Sequence, residues 1–179
     1  MKTSLRIYNK IDSNLFDLFG HNEVAQTKGL AYLISESTEA YTKLIQLIGL
    51  KGVKKDSSII VDAEYITQKK QRPDVVITFY DKNYKLYKAV ILEAKTASKM
   101  ITQLNAQQQL ENYCIQLQKE LNINNVELVT LTNIISFYNL PAKRIFCSIT
   151  WIDLITVLYT CKNSLAQEYV NYLIRILNK

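Results

Sequence analysis

The segment that decides the fold spans residues 71–96 and reads QRPDVVITFYDKNYKLYKAVILEAKT. Two runs rich in β-branched and aromatic residues, 74–80 and 85–94, flank the polar tripeptide DKN, a pattern that predicts a β-hairpin. The first run opens on a Pro-Asp dipeptide and the second ends on Glu-Ala-Lys. Because burying a charge is costly, two acids and an amine at the ends of apolar strands require an explanation.

The relative positions of these polar residues depend on the length of the turn. Side chains alternate along a strand, so Glu93 and Lys95 share a face with Ile91, and Asp74 shares a face with Val76. A turn of two or four residues places Asp74 opposite Ile91, which makes Asp74 and Glu93 diagonal neighbours about 7 Å apart. A three-residue turn breaks this arrangement unless a β-bulge restores it.

Two carboxylates at that distance can bind one small cation, and the sequence therefore predicts a metal site. Magnesium prefers hard oxygen ligands and keeps several waters, so Asp74, Glu93 and the backbone carbonyl of Ala94 are sufficient protein ligands. Such a cation polarises a phosphoryl oxygen and lowers the pKa of a bound water. The ammonium of Lys95 can orient that water. The alternative is that Asp74 ends a turn and that Glu93 and Lys95 form a surface ion pair.

The remaining hydrophobic patterns predict helices around further strands. The expected elements, in chain order, are helices 21–37 and 38–49, strand 57–68, the hairpin strands 74–80 and 85–94, helix 99–121, strands 126–132 and 144–150, a helix from residue 151 and a helix over 165–177. Thr150 and Asp153 have the spacing of a helix-starting capping box. This order predicts an α/β fold in which helices surround a central mixed sheet.

Length and composition fit one globular domain covering residues 1–179. The chain is 48% apolar and 21% charged, no apolar run reaches membrane-spanning length, and the N-terminus lacks the apolar block of a secretory signal. We therefore expect a cytoplasmic protein without a membrane partner. The net charge of +6 suits a polyanionic partner, although it also serves solubility. Cys114, Cys147 and Cys161 are expected to be reduced thiols.

Pro73-Asp74, eighteen intervening residues and Glu93-Ala94-Lys95 together resemble the signature of the PD-(D/E)XK nuclease superfamily. The αβββαβ core of that superfamily, the restriction-endonuclease-like fold, is similar to the element order expected over residues 22–132, which a C-terminal strand and helices over 143–178 would extend. The resemblance implies that Asp74 and Glu93 bind Mg²⁺, with Mn²⁺ as a substitute, and that Lys95 assists the attacking water. It also implies a catalytic role for Glu23, whose alternative role is that of a first-turn acid favoured by the helix dipole.

Further residues are expected to contact nucleic acid. Some superfamily members carry Gln-x-x-x-Tyr on the helix after the lysine strand, and the Gln and Tyr of QLENY are similar to it. Basic residues lie just before Asp74 and just after the Glu-Ala-Lys motif. The expected set is Gln109, Tyr113, Lys69, Lys70, Arg72 and Lys99, and the alternatives are an ordinary helix border and basic residues that solubilise a loop. His21 is expected to be a polar residue at a helix start and not a general base.

Chemistry and resemblance together predict a divalent-metal-dependent endodeoxyribonuclease that hydrolyses phosphodiesters with a metal-activated water. The expected setting is prokaryotic antiviral defence, restriction or DNA processing, with DNA as substrate and RNA left open. A homodimer, or association with a sensor or partner subunit, would suit such an enzyme. Two alternatives stay open: a non-catalytic module on the same fold that binds nucleic acid or protein, and the nuclease part of a larger sensor protein.

Overall fold

A single mixed sheet forms the centre of the computed structural model, which describes residues 14–95, 103–133 and 145–178. Its strands are β1 (Ser58–Ala63), β2 (Val75–Tyr80), β3 (Leu86–Lys95), β4 (Val126–Thr132) and β5 (Ile145–Thr150). The spatial order is β1-β2-β3-β4-β5. The first three strands pair antiparallel, whereas β4 runs parallel to β3 and β5 runs parallel to β4. The predicted α/β class with a central mixed sheet is confirmed.

Within the described residues, five α-helices accompany the sheet, together with a short 3₁₀-helix at Leu15–Phe19. They are α1 (Glu23–Glu36), α2 (Thr38–Leu47), α3 (Gln103–Leu121), α4 (Trp151–Leu158) and α5 (Ser164–Leu177). Polar residues with side-chain hydrogen bonds to first-turn amides begin four of them: Asn22, Ser37, Thr150 and Asn163. Thr150 and Asp153 form the predicted capping box. The predicted start of α3 at residue 99 lies outside the described residues.

The helices cover the two faces of the sheet unequally. The larger hydrophobic cluster joins α1, α2, α4 and α5 to one face, with the buried Leu30, Leu44, Leu154 and Tyr169 among its members. On the other face, α3 contributes Leu110, Tyr113 and Leu117, which pack with Val76, Ile91 and Leu128. Among the described helices, none is both long and apolar enough to cross a bilayer. Cys114, Cys147 and Cys161 are free thiols, as expected.

The hairpin resolves the question of turn length and corrects the predicted register. Asp81 N–H donates to Lys85 O at 3.0 Å, so the turn has the three residues 82–84, of which Tyr84 has a φ of 57°. A register shift between Phe79 and Tyr80 then restores the alternation, as a bulge does. The expected pairing of Asp74 with Ile91 is wrong, because Ile91 pairs with Val76. Because of this bulge, Asp74 lies opposite Glu93 and not opposite Ile91.

A close helix contact gives a first testable prediction. A Cβ added at Gly29 of α1 would lie 2.8 Å from Tyr169 Cε2 and 3.1 Å from Phe16 Cδ1, closer than packed carbons tolerate. Gly29→Ala is expected to lower the free energy of unfolding by about 1–2 kcal/mol, because overpacking outweighs the higher helix propensity of alanine. Urea unfolding measures this effect. Ser35→Ala, at an exposed position of α1, is the control and should change stability by less than about 0.5 kcal/mol.

Candidate active site

Asp74 and Glu93 lie side by side where β2 begins and β3 ends. The ladder pairs Val75 with Leu92, and Asp74 and Glu93 occupy the next position, where the Cα atoms of opposed residues are about 5 Å apart. Glu93 Oε2 accepts a hydrogen bond from Asp74 N–H at 3.1 Å, and Asp74 Oδ2 accepts one from Ala94 N–H at 2.8 Å. Each carboxylate is therefore held by a backbone amide at the open end of the hairpin, away from its turn.

The two acids differ in their exposure to solvent. Glu93 is 3% exposed and Asp74 is half-buried. A divalent cation between the two side chains would be attracted to both carboxylates, and the low exposure of Glu93 would strengthen that attraction. The predicted association of the two acids is therefore present, and it is closer than the diagonal arrangement expected from the sequence.

A row of polar side chains continues from the acids across the sheet. Glu93 pairs with Thr130 of β4, and Thr130 pairs with Ser148 of β5. The hydroxyls of Thr130 and Ser148 are 2.6 Å apart, and Thr130 is 3% exposed. On the other side, Glu64 N–H donates to the carbonyl of Asp74 at 2.7 Å. A polar row thus runs from the acid pair through Thr130 and Ser148, across β3, β4 and β5.

Glu64, whose N–H donates to the carbonyl of Asp74, forms ion pairs with two basic side chains. Its carboxylate forms ion pairs with Lys28 of α1 and with Arg72, whose Nε lies 3.3 Å from Glu64 Oε1. The hydrogen bond from Lys28 is the main cause that lowers the pKa of Glu64, so this carboxyl stays ionised at neutral pH. Its backbone has a φ of 52°, an uncommon conformation for a residue other than glycine. The charge of Glu64 is therefore balanced by Lys28 and Arg72 next to the acid pair.

For the other two predicted catalytic residues, Lys95 and Glu23, the structure gives less detail. Lys95 ends β3, where its backbone pairs with Thr132, and its side chain lies outside the described residues. Glu23 is the half-buried first residue of α1. Within 14–95, 103–133 and 145–178, no three acidic, histidine or cysteine side chains come together as a metal-binding group, and the role of Glu23 stays a prediction. His21 Nε2 contacts Asp17 Oδ1 at 3.1 Å, away from the polar row.

The acid pair nevertheless has the donor chemistry that suits magnesium. Asp74 and Glu93 each offer carboxylate oxygens, the hard ligands that Mg²⁺ prefers, and magnesium usually binds through one or two carboxylates while keeping several waters. The site lies where β2 begins and β3 ends, and Asp74 is half-buried, so water can reach it and complete the coordination. Two protein carboxylates are therefore sufficient for this ion, and a third acid is not required.

A large open pocket includes Arg72, two residues before Asp74 in the chain, and collects four of the six residues predicted to bind nucleic acid. It has a volume of about 850 Å³ and lies between the β1–β2 loop and α3, lined by Ile66, Lys70, Gln71, Arg72, Gln109 and Tyr113. Gln109 Nε2 donates to Tyr113 Oη at 2.5 Å. Lys69 is exposed on the same loop but does not line the pocket, and Lys99 lies outside the described residues.

The sequence did not point to three of the residues now found around the acids. Thr130 and Ser148 lie on separate apolar strands, and their only signal is the alternation of polar and apolar residues in each strand. Their contact depends on parallel pairing between strands that are distant in the chain. Glu64 was expected to continue a strand, but β1 ends at Ala63 and Glu64 begins the loop.

The chain has no counterpart in the comparisons that could assign it to a family: no family model, curated protein or solved structure matches it. Functional conclusions therefore depend on the residues of this chain and on their geometry.

Proposed function

We propose that this protein is a metal-dependent nuclease that hydrolyses DNA phosphodiester bonds, on a core of the restriction-endonuclease type. The observation that carries the proposal is the adjacency of Asp74 and Glu93, two carboxylates held by backbone amides at the end of a buried hairpin. Supporting it, three antiparallel strands are followed by a helix and a parallel strand, and Lys70 and Arg72, which line a pocket, shortly precede Asp74 in the chain. Antiviral defence, restriction and DNA processing are the settings that suit such an activity.

In this proposal, some residues bind the cation and Lys95 acts on the attacking water and the phosphate. Asp74 and Glu93 would hold Mg²⁺, or Mn²⁺ in its place, with the carbonyl of Ala94 as a further oxygen. When bound, the cation supplies Lewis-acid activation of the phosphoryl group and of water. Lys95 would orient the attacking water and offset the negative charge that grows on the phosphate. Glu93 is buried and Asp74 is half-buried, so less water screens these electrostatic effects than at an exposed site.

The cations near the pocket supply attraction for the polyanionic substrate. Lys70 and Arg72 are exposed and line the pocket, and Arg72 is two residues from Asp74 in the chain. A phosphate held by them would lie next to the acid pair, where repulsion between phosphate and carboxylates would otherwise oppose binding. The ion pair with Glu64 holds the guanidinium of Arg72 near the end of β1.

A cleavage assay tests the proposal. Plasmid and single-stranded DNA are incubated with the purified chain in Mg²⁺, Mn²⁺ or chelator, and cutting is expected only with metal. Lys95→Ala is expected to slow cutting by about a hundredfold or more, because charge stabilisation in the transition state is lost. Lys85→Ala removes an exposed lysine at the opposite end of the hairpin and should cut at the wild-type rate.

Three outcomes contradict parts of this proposal. Binding of DNA without cutting under every metal condition would favour the non-catalytic binding module. Undiminished cutting in chelator would remove the role of the metal. A loss of activity in His21→Ala as large as that in Lys95→Ala would mean that the water is activated by histidine.

A further inference from the structure

The pocket between the β1–β2 loop and α3 combines features that phosphate binding alone does not need. Lys70 and Arg72 supply positive charge, but Ile66 contributes an apolar side chain that is 70% exposed. Tyr113, 5% exposed, and Gln109 form the wall on the α3 side. A surface that only binds phosphates would gain nothing from an exposed isoleucine, whose contact with water is unfavourable. The composition therefore fits a ligand that has both an anionic group and an apolar planar group.

The loop that forms the other wall is held in place by hydrogen bonds. Thr67 is 2% exposed; its N–H donates to Gln71 O at 2.9 Å, and its hydroxyl accepts from Gln71 N–H at 3.0 Å. Lys70 N–H donates a hydrogen bond to Thr67 O at 2.8 Å, which closes the turn. The φ of Lys70 is 59°. A preformed wall of this kind lowers the entropic cost of binding.

The same loop is also tied to α3. Gln68 N–H donates to Glu120 Oε1 at 2.6 Å, and Gln116 Nε2 donates to the same oxygen at 2.7 Å. The two walls of the pocket are thereby connected at its far end. The space between them is a stable feature of the fold, and its volume of about 850 Å³ lies within the usual range for small-ligand pockets.

We propose that this pocket binds an unpaired nucleotide, so that the substrate of the adjoining site is single-stranded DNA. This inference rests on the proposed nuclease function. The phosphate would contact Lys70 and Arg72, and the base would pack on Ile66 and against the wall formed by Gln109 and Tyr113. In a duplex the bases are stacked and paired inside the helix, so only phosphates could reach the pocket, and Ile66 would stay in water. An unpaired base has a free face that can pack on protein side chains.

Binding assays in chelator test the pocket without cleavage. Fluorescence anisotropy compares a short single strand, the same strand in a hairpin duplex, and a strand in which several consecutive bases are replaced by abasic sites. Wild-type protein is expected to bind the single strand at least about tenfold more tightly than the duplex or the abasic strand, because only the first offers bases. Equal affinity for the abasic strand, or for the duplex, would overturn the inference.

Substitutions separate the base contact from the phosphate contacts. Ile66→Ser is expected to weaken single-strand binding about fivefold and to leave duplex binding unchanged. Lys70→Asn with Arg72→Gln is expected to weaken binding about tenfold or more and to reduce its salt dependence; Asn is chosen because it tolerates the positive φ at residue 70. Lys82→Asn removes an exposed charge in the hairpin turn and should change affinity less than about twofold. An unchanged affinity in Ile66→Ser would overturn the base contact.

Cleavage in Mg²⁺ distinguishes failure of this inference from failure of the proposed function. Equal rates on single-stranded and duplex DNA would keep the nuclease and overturn the single-strand pocket. Selective single-strand binding without cleavage of any substrate would keep the pocket and overturn the nuclease.

Discussion

Asp74→Asn and Glu93→Gln are each expected to reduce magnesium-dependent cleavage by about a thousandfold, which corresponds to about 4 kcal/mol of transition-state stabilisation. The amide variants keep an oxygen that can accept the hydrogen bonds from Ala94 N–H and Asp74 N–H. What they lose is the negative charge that holds the cation.

Thermal unfolding supplies a readout of the same site that does not depend on activity. Mg²⁺ that binds only the folded protein raises the melting temperature of the wild type in a concentration-dependent way. Both amide variants should lose most of this increase. Asp62→Asn is a matched control, since Asp62 is a half-buried acid on β1 whose pKa is raised by burial. Wild-type cleavage by either amide variant, or an equal loss in Asp62→Asn, would show that the acid pair does not hold the cation.

The part of this site that could be predicted from the sequence is the hairpin, because its residues are contiguous in the chain. The hairpin strands are adjacent in the chain, so alternation and a short turn constrain how Asp74 and Glu93 approach each other. The exact neighbour of Asp74 could not be predicted, because it depends on whether the turn has three residues and whether a bulge compensates. The conformation of Tyr84, with a φ of 57°, decides this and is not typical of tyrosine.

The parts that could not be predicted depend on pairing between distant strands. Thr130 pairs with Glu93, and Ser148 with Thr130, only because β3, β4 and β5 run parallel in one particular register. Nothing in an apolar strand specifies which neighbour it will have, since any buried strand satisfies the same hydrophobic pattern. The pocket likewise requires the β1–β2 loop to meet α3, and its tie between Gln68 and Glu120 spans fifty-two positions of the chain.

The burial of Lys88 was also not predicted from the sequence. This residue lies far from Asp74 and Glu93. Its side chain is 2% exposed within the apolar strand β3, and its ammonium forms an ion pair with Glu127 of β4. Lys88 Nζ also donates to the carbonyl of Lys51 at 2.8 Å. Glu93 follows Lys88 by five positions, which corresponds to about 17 Å along the strand. The ion pair therefore belongs to the stability of the sheet and not to the candidate active site.

Glu127→Gln is expected to lower the free energy of unfolding by about 3 kcal/mol, because it leaves the buried ammonium of Lys88 without its counter-charge. The double variant Lys88→Met/Glu127→Met removes both charges and should be destabilised by less than about 1 kcal/mol, since apolar side chains can replace a buried ion pair at little cost. Urea unfolding of both variants measures the difference. Cleavage well below the melting temperature should be unchanged in both, which separates this effect from the losses expected at Asp74 and Glu93. If the single variant proved as stable as the double variant, water would have to reach the ammonium, and the ion pair would not be buried.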